Sequence, residues 1–180
     1  MRFVISGPSG SGKTTIIRML KKEQIPIKFS VSATDRLPRP DEVNGINYYF
    51  LTPEEFQQKI DRTEFLEYVK LEHRYGTLWS EIENTSDDII LDLDVTGALK
   101  FKEHFPDAIL IFIAPPSMEE LERRLRTRND GMTESELKQR LLRAERELAC
   151  NGRYDYIIVN DSVQQAFEDI LNLIEKSGNY

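Results

Sequence analysis

Short apolar runs alternate with stretches of helical spacing along most of this chain of 180 residues. The first run, at residues 3–5, ends in a glycine-rich loop and is followed by helical spacing over residues 14–23. Further strands are predicted at residues 28–32, 88–93, 108–113 and 156–159. The second and third of these lack strict polar alternation, which is typical of parallel strands covered on both faces.

Four helix starts are marked by a hydroxyl residue that is followed three positions later by Glu or Gln, so that each can cap a backbone amide of the other. These boxes begin at Thr52, Ser117, Thr133 and Ser162, and a proline occupies the first helical position of the Thr52 box. Strands that alternate with helices predict a doubly wound α/β sheet, whose sites form beyond the carboxyl ends of the strands.

Residues 33–83 break this alternation. They hold a loop rich in Pro and Arg, a short tyrosine-rich strand at 48–50, the helix from Thr52, and two strand-like stretches at 65–71 and 74–79. We expect a small antiparallel lobe here, inserted into one α/β core made of residues 1–32 and 84–180.

Composition narrows the class of protein. With 39% hydrophobic and 31% charged residues, no apolar run of about 20 residues and no signal peptide, the chain is expected to be a soluble cytoplasmic globule without a membrane partner. Its single cysteine, Cys150, excludes an internal disulfide and a thiolate metal cluster.

The net charge of the chain is negative, but its arginines are concentrated in one segment. The net charge of −7 argues against a non-specific nucleic-acid binder, which needs a basic surface to displace counterions. Eight arginines nevertheless lie between residues 123 and 153. They predict a local anion site, and a solvated helix face is the alternative.

The glycine-rich loop satisfies the Walker A pattern G-x-x-x-x-G-K-[ST] between a predicted strand and a predicted helix. Its backbone N–H groups can converge on an anion, Lys13 can neutralise the β- and γ-phosphates, and the Thr14 hydroxyl can ligate Mg²⁺. A plain glycine turn is the alternative. The predicted ATP site comprises Gly7, Pro8, Ser9, Gly10, Ser11, Gly12, Lys13, Thr14 and Thr15.

Two carboxylates, Asp92 and Asp94, leave the apolar strand at 88–93 on the same side. Asp92 is predicted to bind Mg²⁺ through water. For Asp94 the sequence favours equally a functional role and an N-cap of the helix over residues 95–105.

Residues 30–48, SVSATDRLPRPDEVNGINY, resemble the GMP-binding signature of guanylate kinases, which are P-loop nucleoside monophosphate kinases. Segments in family order continue at residues 65–68, 75–77, 92–97, 111–116, 124–128, 140 and 159–161. The resemblance implies a P-loop NTPase-type parallel sheet flanked by helices, with an inserted small α+β lobe for the nucleoside monophosphate and a helical lid. It also implies transfer of the γ-phosphoryl group of ATP to GMP, with dGMP as a further acceptor.

The resemblance assigns roles within this acceptor site. Arg36 and Arg39 would hold the phosphate with the Tyr48 and Tyr75 hydroxyls, and an acceptor-only carboxylate, Glu67, would read the N–H donors of guanine. A solvated basic loop and an exposed strand carboxylate are the alternatives. The full predicted GMP site comprises Ser32, Arg36, Arg39, Glu42, Tyr48, Glu67, Tyr75, Thr77 and Asp92.

By the same resemblance, residues 124–140 form a mobile lid. Arg124 and Arg128 lie four residues apart on one helix face, and Arg140 follows the loop. Together with Lys13 they are the predicted catalytic residues, and Arg128 is also expected to contact ATP. Asn160 resembles a position that contacts adenine, and a turn asparagine is the alternative.

Two departures from the family pattern, Asp35 in place of Thr and Asp41 in place of Gly, put extra carboxylates near the phosphate loop. They are expected to weaken GMP binding or to tighten its coupling to the lid. The rival hypotheses are a related P-loop kinase with another small phosphorylated acceptor and a guanylate-kinase-like module that binds phosphopeptides. A monomer or a homodimer is expected.

Overall fold

The computed structural model describes residues 1–23, 25–83, 88–127 and 131–178. In chain order the elements are β1 (Arg2–Ser6), α1 (Lys13–Leu20), β2 (Lys28–Phe29), β3 (Ala33–Thr34), β4 (Tyr49–Phe50), α2 (Pro53–Asp61), β5 (Phe65–Lys70), β6 (Arg74–Leu78), α3 (Ser80–Glu83), β7 (Ile89–Asp92), α4 (Val95–His104), β8 (Ile109–Ala114), α5 (Met118–Thr127), α6 (Glu134–Leu148), β9 (Tyr156–Val159) and α7 (Val163–Gly178). A short 3₁₀ helix, Asn151–Arg153, precedes β9.

The larger sheet has five parallel strands in the order β2-β7-β1-β8-β9. Its central strand β1 places Phe3 opposite Ile90 on one side and opposite Ile109 on the other. The predicted parallel sheet flanked by helices is therefore confirmed.

Two apolar clusters cover the two faces of this sheet, because side chains alternate along each strand. Phe3 and Ile5 pack with buried side chains of α1 and α7. Val4 points the other way and packs with α4, where Phe101 is fully buried. Both faces of β1 are thus removed from water, which explains its uninterrupted apolar run.

The lobe has a four-stranded sheet in the order β4-β3-β6-β5. The β3–β6 and β5–β6 pairs are antiparallel, but β3 and β4 run parallel, so the expectation of a purely antiparallel lobe is wrong. A parallel pair needs a long crossover, and residues 35–48 supply it. Helix α2 covers one face, where Phe56 stacks on Phe65 with ring centroids 4.5 Å apart.

Element bounds differ from the sequence prediction where the chain leaves the core. The strand expected at 28–32 is shorter, Lys28–Phe29, and joins the larger sheet, and a separate strand, Ala33–Thr34, joins the lobe. Glu81 of α3, a helix that the pattern did not predict, is buried and accepts a hydrogen bond from the Val31 amide at 2.8 Å. This carboxylate fixes the crossing between the two sheets.

The capping boxes at Thr52 and Thr133 are reciprocal, as predicted. In the boxes at Ser117 and Ser162, one of the two expected bonds forms: the serine hydroxyl accepts from the amide of Glu120 or Gln165, respectively. The side chain of Glu120 binds two arginines of α5 instead, and that of Gln165 donates to Asp169. Within the described residues, no helix is long and apolar enough to cross a bilayer.

Phe101→Ala should lower the free energy of unfolding by about 3–5 kcal/mol, because it empties a fully buried site between α4 and the sheet. Urea unfolding followed by circular dichroism measures the change. Leu37→Ala, at a side chain that is 83% exposed, is the control and should change the free energy by less than about 0.5 kcal/mol. Equal losses in the two variants would contradict this description of the core.

Candidate active site

The glycine-rich loop turns the chain from β1 into α1. Gly10 and Gly12 adopt left-handed backbone angles, with φ of 89° and 92°, which disfavour a side chain. A Cβ at Gly7 would lie 2.3 Å from the Ile113 carbonyl oxygen, so the loop packs directly against β8. Thr14 and Thr15 are in the first turn of α1, whose N-terminal amides favour an anion.

Lys13 contacts the carboxyl end of the neighbouring strand. Its Nζ lies 2.5 Å from Asp92 Oδ1 and 3.1 Å from the Leu93 carbonyl oxygen. Since β7 lies beside β1, the two predicted phosphate and magnesium residues share one edge of the sheet. The structure therefore brings Lys13 and Asp92 together.

Asn160 supports the loop from the end of β9. Its side chain is fully buried, and Nδ2 donates to the Ser11 carbonyl oxygen at 2.7 Å. A Cβ at Gly12 would lie 2.1 Å from that Nδ2 atom, so glycine is required for this contact. The geometry gives Asn160 a role in holding the loop, and a direct contact with adenine stays a prediction.

A β-bulge sets the direction of Glu67. Phe65 lies opposite Leu78 and Glu67 lies opposite Thr77, so Leu66 is the extra residue on β5. The bulge leaves Phe65 in the cluster under α2 and turns Leu66 into the core cluster with α4. Glu67 consequently leaves the α2 side and faces α4.

Glu67 is buried, with 6% of the residue exposed. Its Oε1 accepts hydrogen bonds from the Thr77 hydroxyl at 2.8 Å and from the Thr77 amide at 3.1 Å. Burial raises the pKa of Glu67 to about 7, against the opposing effect of the Thr77 hydrogen bonds. Its Oε2 would lie 2.8 Å from a Cβ at Gly97, so this glycine leaves room for the carboxylate.

The predicted phosphate-binding residues form a second group. Arg36 makes two hydrogen bonds to Glu42, of 2.8 and 2.9 Å, which lower the pKa of Glu42. The guanidinium lies 5.4 Å from the centroid of the Tyr48 ring, which meets Tyr75 edge-on at 6.0 Å. Arg39 is exposed, and its amide donates to Glu42.

One cavity links the lobe to the core. Ser32 and Tyr48 line it together with Asp92 and with Ile17 and Lys21, which lie on and just beyond α1. Burial raises the pKa of Tyr48, and the charge of Asp92 raises it further. Residues that the sequence assigned to GMP and to magnesium therefore border the same space.

The predicted lid arginines are placed unequally. Arg124 donates to Glu120 at 2.7 Å and to the Asn160 carbonyl oxygen at 2.9 Å, so it faces the glycine-rich loop. Arg140 is half-buried on α6. Arg128 lies outside the described residues.

Comparisons with known proteins add what the geometry leaves open. A family model described as guanylate kinase matches residues 1–177. The chain belongs to the guanylate kinase family. The predicted kinase fold and the predicted class of enzyme are thereby confirmed, and the phosphopeptide-binding module is not favoured.

Individual guanylate kinases are similar over most of their length. The protein from Fusobacterium nucleatum is 41% identical to this chain. The alignment covers 96% of this chain and 95% of that protein. The protein from Salinibacter ruber is 44% identical, and the alignment covers 96% of this chain and 94% of that protein. The crystal structure of guanylate kinase from Anaplasma phagocytophilum superposes with a TM-score of 0.80 at 32% identity, covering 98% of this chain and 85% of that one.

Two charged residues, Asp94 and Arg143, meet beside the start of α4. Asp94 caps α4 by accepting from the Gly97 amide at 2.7 Å, and its other oxygen lies 3.1 Å from Arg143 of α6. Arg143 belongs to the arginine cluster, but nothing in the sequence distinguished it from its neighbours. The spacing to Glu147, which it binds at 2.6 Å, was a weak signal at most.

One departure from the guanylate kinase pattern has a structural explanation. Asp35 accepts hydrogen bonds from the Arg74 amide at 2.7 Å and from Nε at 2.6 Å. Burial raises the pKa of Asp35, but the bonds and charge of Arg74 outweigh it and the pKa is lowered. The charge of Asp35 is therefore compensated within the lobe by Arg74. Asp41 is exposed.

Gly12→Ala should weaken ATP binding at least about tenfold, because the new Cβ meets Asn160 Nδ2 at 2.1 Å and the left-handed angle adds about 1–2 kcal/mol of strain. Calorimetric titration with ATP measures the effect. Gly152→Ala is the matched control, since a Cβ there meets nothing within 4 Å. ATP affinity that is equal in the two variants would refute the close packing of the loop.

Proposed function

We propose that this guanylate kinase transfers the γ-phosphoryl group of ATP to GMP, and also to dGMP, giving ADP and the nucleoside diphosphate. The observation that carries the proposal is the buried Glu67 carboxylate, held by Thr77 on the lobe strand that faces the core. A buried carboxylate in such a place needs a donor-rich ligand to balance its desolvation.

Guanine supplies those donors. Its N1–H and exocyclic amine suit a carboxylate, which only accepts, whereas adenine presents a bare ring nitrogen at the matching position. Ser32 is proposed to donate to O6, and the Thr77 hydroxyl to contact the base. With adenine bound, each buried group left unpaired would cost about 1–3 kcal/mol, enough for strong discrimination.

The acceptor phosphate is proposed to lie between Arg36 and Arg39, with the Tyr48 and Tyr75 hydroxyls as further donors. Planar guanidinium groups suit phosphate oxygens. The Arg36–Glu42 pair supports this placement, since the carboxylate holds the guanidinium against the tyrosines. We therefore assign Glu42 to positioning Arg36, with no direct contact to the phosphate required.

In the transfer step, a GMP phosphate oxygen attacks the γ-phosphorus of ATP in line. Lys13, Arg124, Arg128 and Arg140 are proposed to stabilise the negative charge spread over the transferring group. The attacking phosphate is largely deprotonated at neutral pH, so no general base is required. Closure of the lid at residues 124–140 would exclude water, which otherwise competes with GMP as acceptor.

The donor set fits Mg²⁺. The Thr14 hydroxyl and, through water, the Asp92 carboxylate would hold the ion, and both offer hard oxygen ligands. Thr14 lies in the first turn of α1, and Asp92 Oδ1 lies 2.5 Å from Lys13 Nζ, so both oxygen donors lie beside the glycine-rich loop. When bound, the ion neutralises charge on the β- and γ-phosphates.

We further propose that residues 33–83 act as the GMP-binding lobe of one domain, with residues 1–32 and 84–180 as its core. Placement in the cytoplasm follows from the proposed substrates, which are cytosolic nucleotides. No nucleic-acid or membrane partner is proposed, and a monomer or a homodimer remains the prediction.

The direct test is an assay of ADP release with Mg²⁺ and ATP against GMP, dGMP, AMP, CMP and UMP. GMP and dGMP should give the highest values of kcat/KM among these acceptors. A GMP rate no higher than that without an acceptor would overturn the proposal, and a preference for another phosphorylated acceptor would favour the related P-loop kinase.

Glu67→Gln should lower kcat/KM for GMP by roughly 10–100-fold and remove the preference over AMP, since its amide N–H₂ opposes a guanine donor. The pKa of Glu67 is raised to about 7, so the wild-type KM for GMP should rise as pH falls through neutrality and Glu67 takes up a proton. The variant should lack this rise, apart from the titration of the GMP phosphate itself. Glu72→Gln, at an exposed turn of the lobe, is the control. An unchanged GMP/AMP ratio in Glu67→Gln would remove Glu67 from the base site.

A further inference from the structure

Arg143 links α6, the helix that follows the lid loop, to Asp94 at the start of α4 in the core. It lies on α6, three residues beyond Arg140, and its guanidinium binds two carboxylates. Nη2 lies 3.1 Å from Asp94 Oδ2, and Nε lies 2.6 Å from Glu147 Oε1. The Arg143 side chain is 39% exposed while those of Asp94 and Glu147 are 18% and 13% exposed, so the pairs are partly shielded from solvent.

Asp94 in turn lies beside Glu67. The position of a Cβ on Gly97 would be 2.8 Å from Glu67 Oε2 and 3.1 Å from Asp94 Oδ1. The two carboxylates therefore border the same point at the start of α4. Asp94 cannot turn away freely, because its Oδ1 accepts from the Gly97 amide at 2.7 Å.

We propose that Arg143 is a positioning residue for guanine recognition, which acts through Asp94 to keep the neighbouring Glu67 carboxylate ionised and available to the base. The inference rests on the proposed function, since it assigns Arg143 to the base site described there. This role differs from that of the lid arginines, which are proposed to stabilise the transferring phosphoryl group.

Glu67 and Asp94 carry like charges, and Arg143 is the cationic partner of Asp94. Burial is the main cause of the raised pKa of Glu67, and the negative charge of Asp94 adds to it. A guanidinium on Asp94 replaces that lone charge by an ion pair, whose field at Glu67 is weaker. Without Arg143, the described part of the chain offers Asp94 no other ion-pair partner.

The other groups around Glu67 bound the size of the effect. Thr77 of β6 donates two hydrogen bonds, and Lys100 of α4 lowers the pKa of Glu67 by its charge. Glu147 faces Arg143 from the same helix, and burial raises its pKa. Since the Arg143 pair is only partly buried, we expect a modest contribution, about threefold in affinity near neutral pH.

The test compares Arg143→Gln with the wild type by calorimetric titration of GMP from about pH 6.5 to about pH 9. The variant should bind GMP about threefold more weakly near pH 7 and equally well at the alkaline end, where Glu67 is ionised in both proteins. The affinity for ATP should be the same in both. Arg143→Lys, which keeps the charge, should recover most of the lost affinity.

Two controls separate this role from a merely structural one. Arg146→Gln removes an exposed arginine of the same helix that makes no ion pair within the described residues, and it should leave GMP affinity unchanged at every pH. In a Glu67→Gln background, Arg143→Gln should cause no pH-dependent change, because the titrating group is gone.

Several outcomes would overturn the inference. Weakening by the same factor at every pH would make Arg143 a structural residue, and loss of ATP affinity would assign it to the donor site. A pH-dependent effect that persists in the Glu67→Gln background would exclude action through Glu67. If Glu67→Gln itself bound GMP as the wild type does, the proposed base site would fail as well; if it lost GMP but Arg143→Gln had no effect, only this inference would fail.

Discussion

At the end of β1 the chain can form the glycine-rich loop because its glycines have no Cβ. Atoms of β8 and of the residue after β9 lie where a Cβ would be. At Gly7 the space is taken by a carbonyl oxygen of β8, and at Gly12 by the Asn160 amide that follows β9. The loop is therefore held by the carboxyl ends of its neighbours in the parallel sheet, where the fold concentrates its sites. The positions of Lys13 and of the first turn of α1 depend on this contact.

The acceptor side depends on a second sheet whose position is fixed by buried polar bonds. Glu81 accepts from the Val31 amide and, at 3.0 Å, from the Tyr49 hydroxyl, so it joins the crossing segment to the lobe sheet. The chain between β2 and β3 thereby carries Ser32 to the cavity that Asp92 borders. The proposed base site and the proposed donor-phosphate site are thus built on different sheets that meet along one short segment.

Local patterns predicted the parallel sheet, the glycine-rich loop and most helix starts, because each depends on residues a few positions apart. Contacts between residues far apart in the sequence could not be predicted from these patterns. The sequence places Asp35 near the phosphate loop but does not reveal its partner, Arg74, which lies on β6. The bulge at Leu66 and the parallel run of β3 and β4 also depend on tertiary packing. Family resemblance could therefore name Glu67, whereas no local pattern could predict what surrounds it.

The Arg36–Glu42 pair bears on how tightly an anion can be bound. A free arginine side chain carries about 2 kcal/mol of rotamer entropy, which a ligand must otherwise remove on binding. Here two hydrogen bonds and two aromatic rings already confine the guanidinium in the folded protein. The ordering therefore takes place during folding, and the proposed acceptor phosphate would meet an arginine with little disorder left to lose.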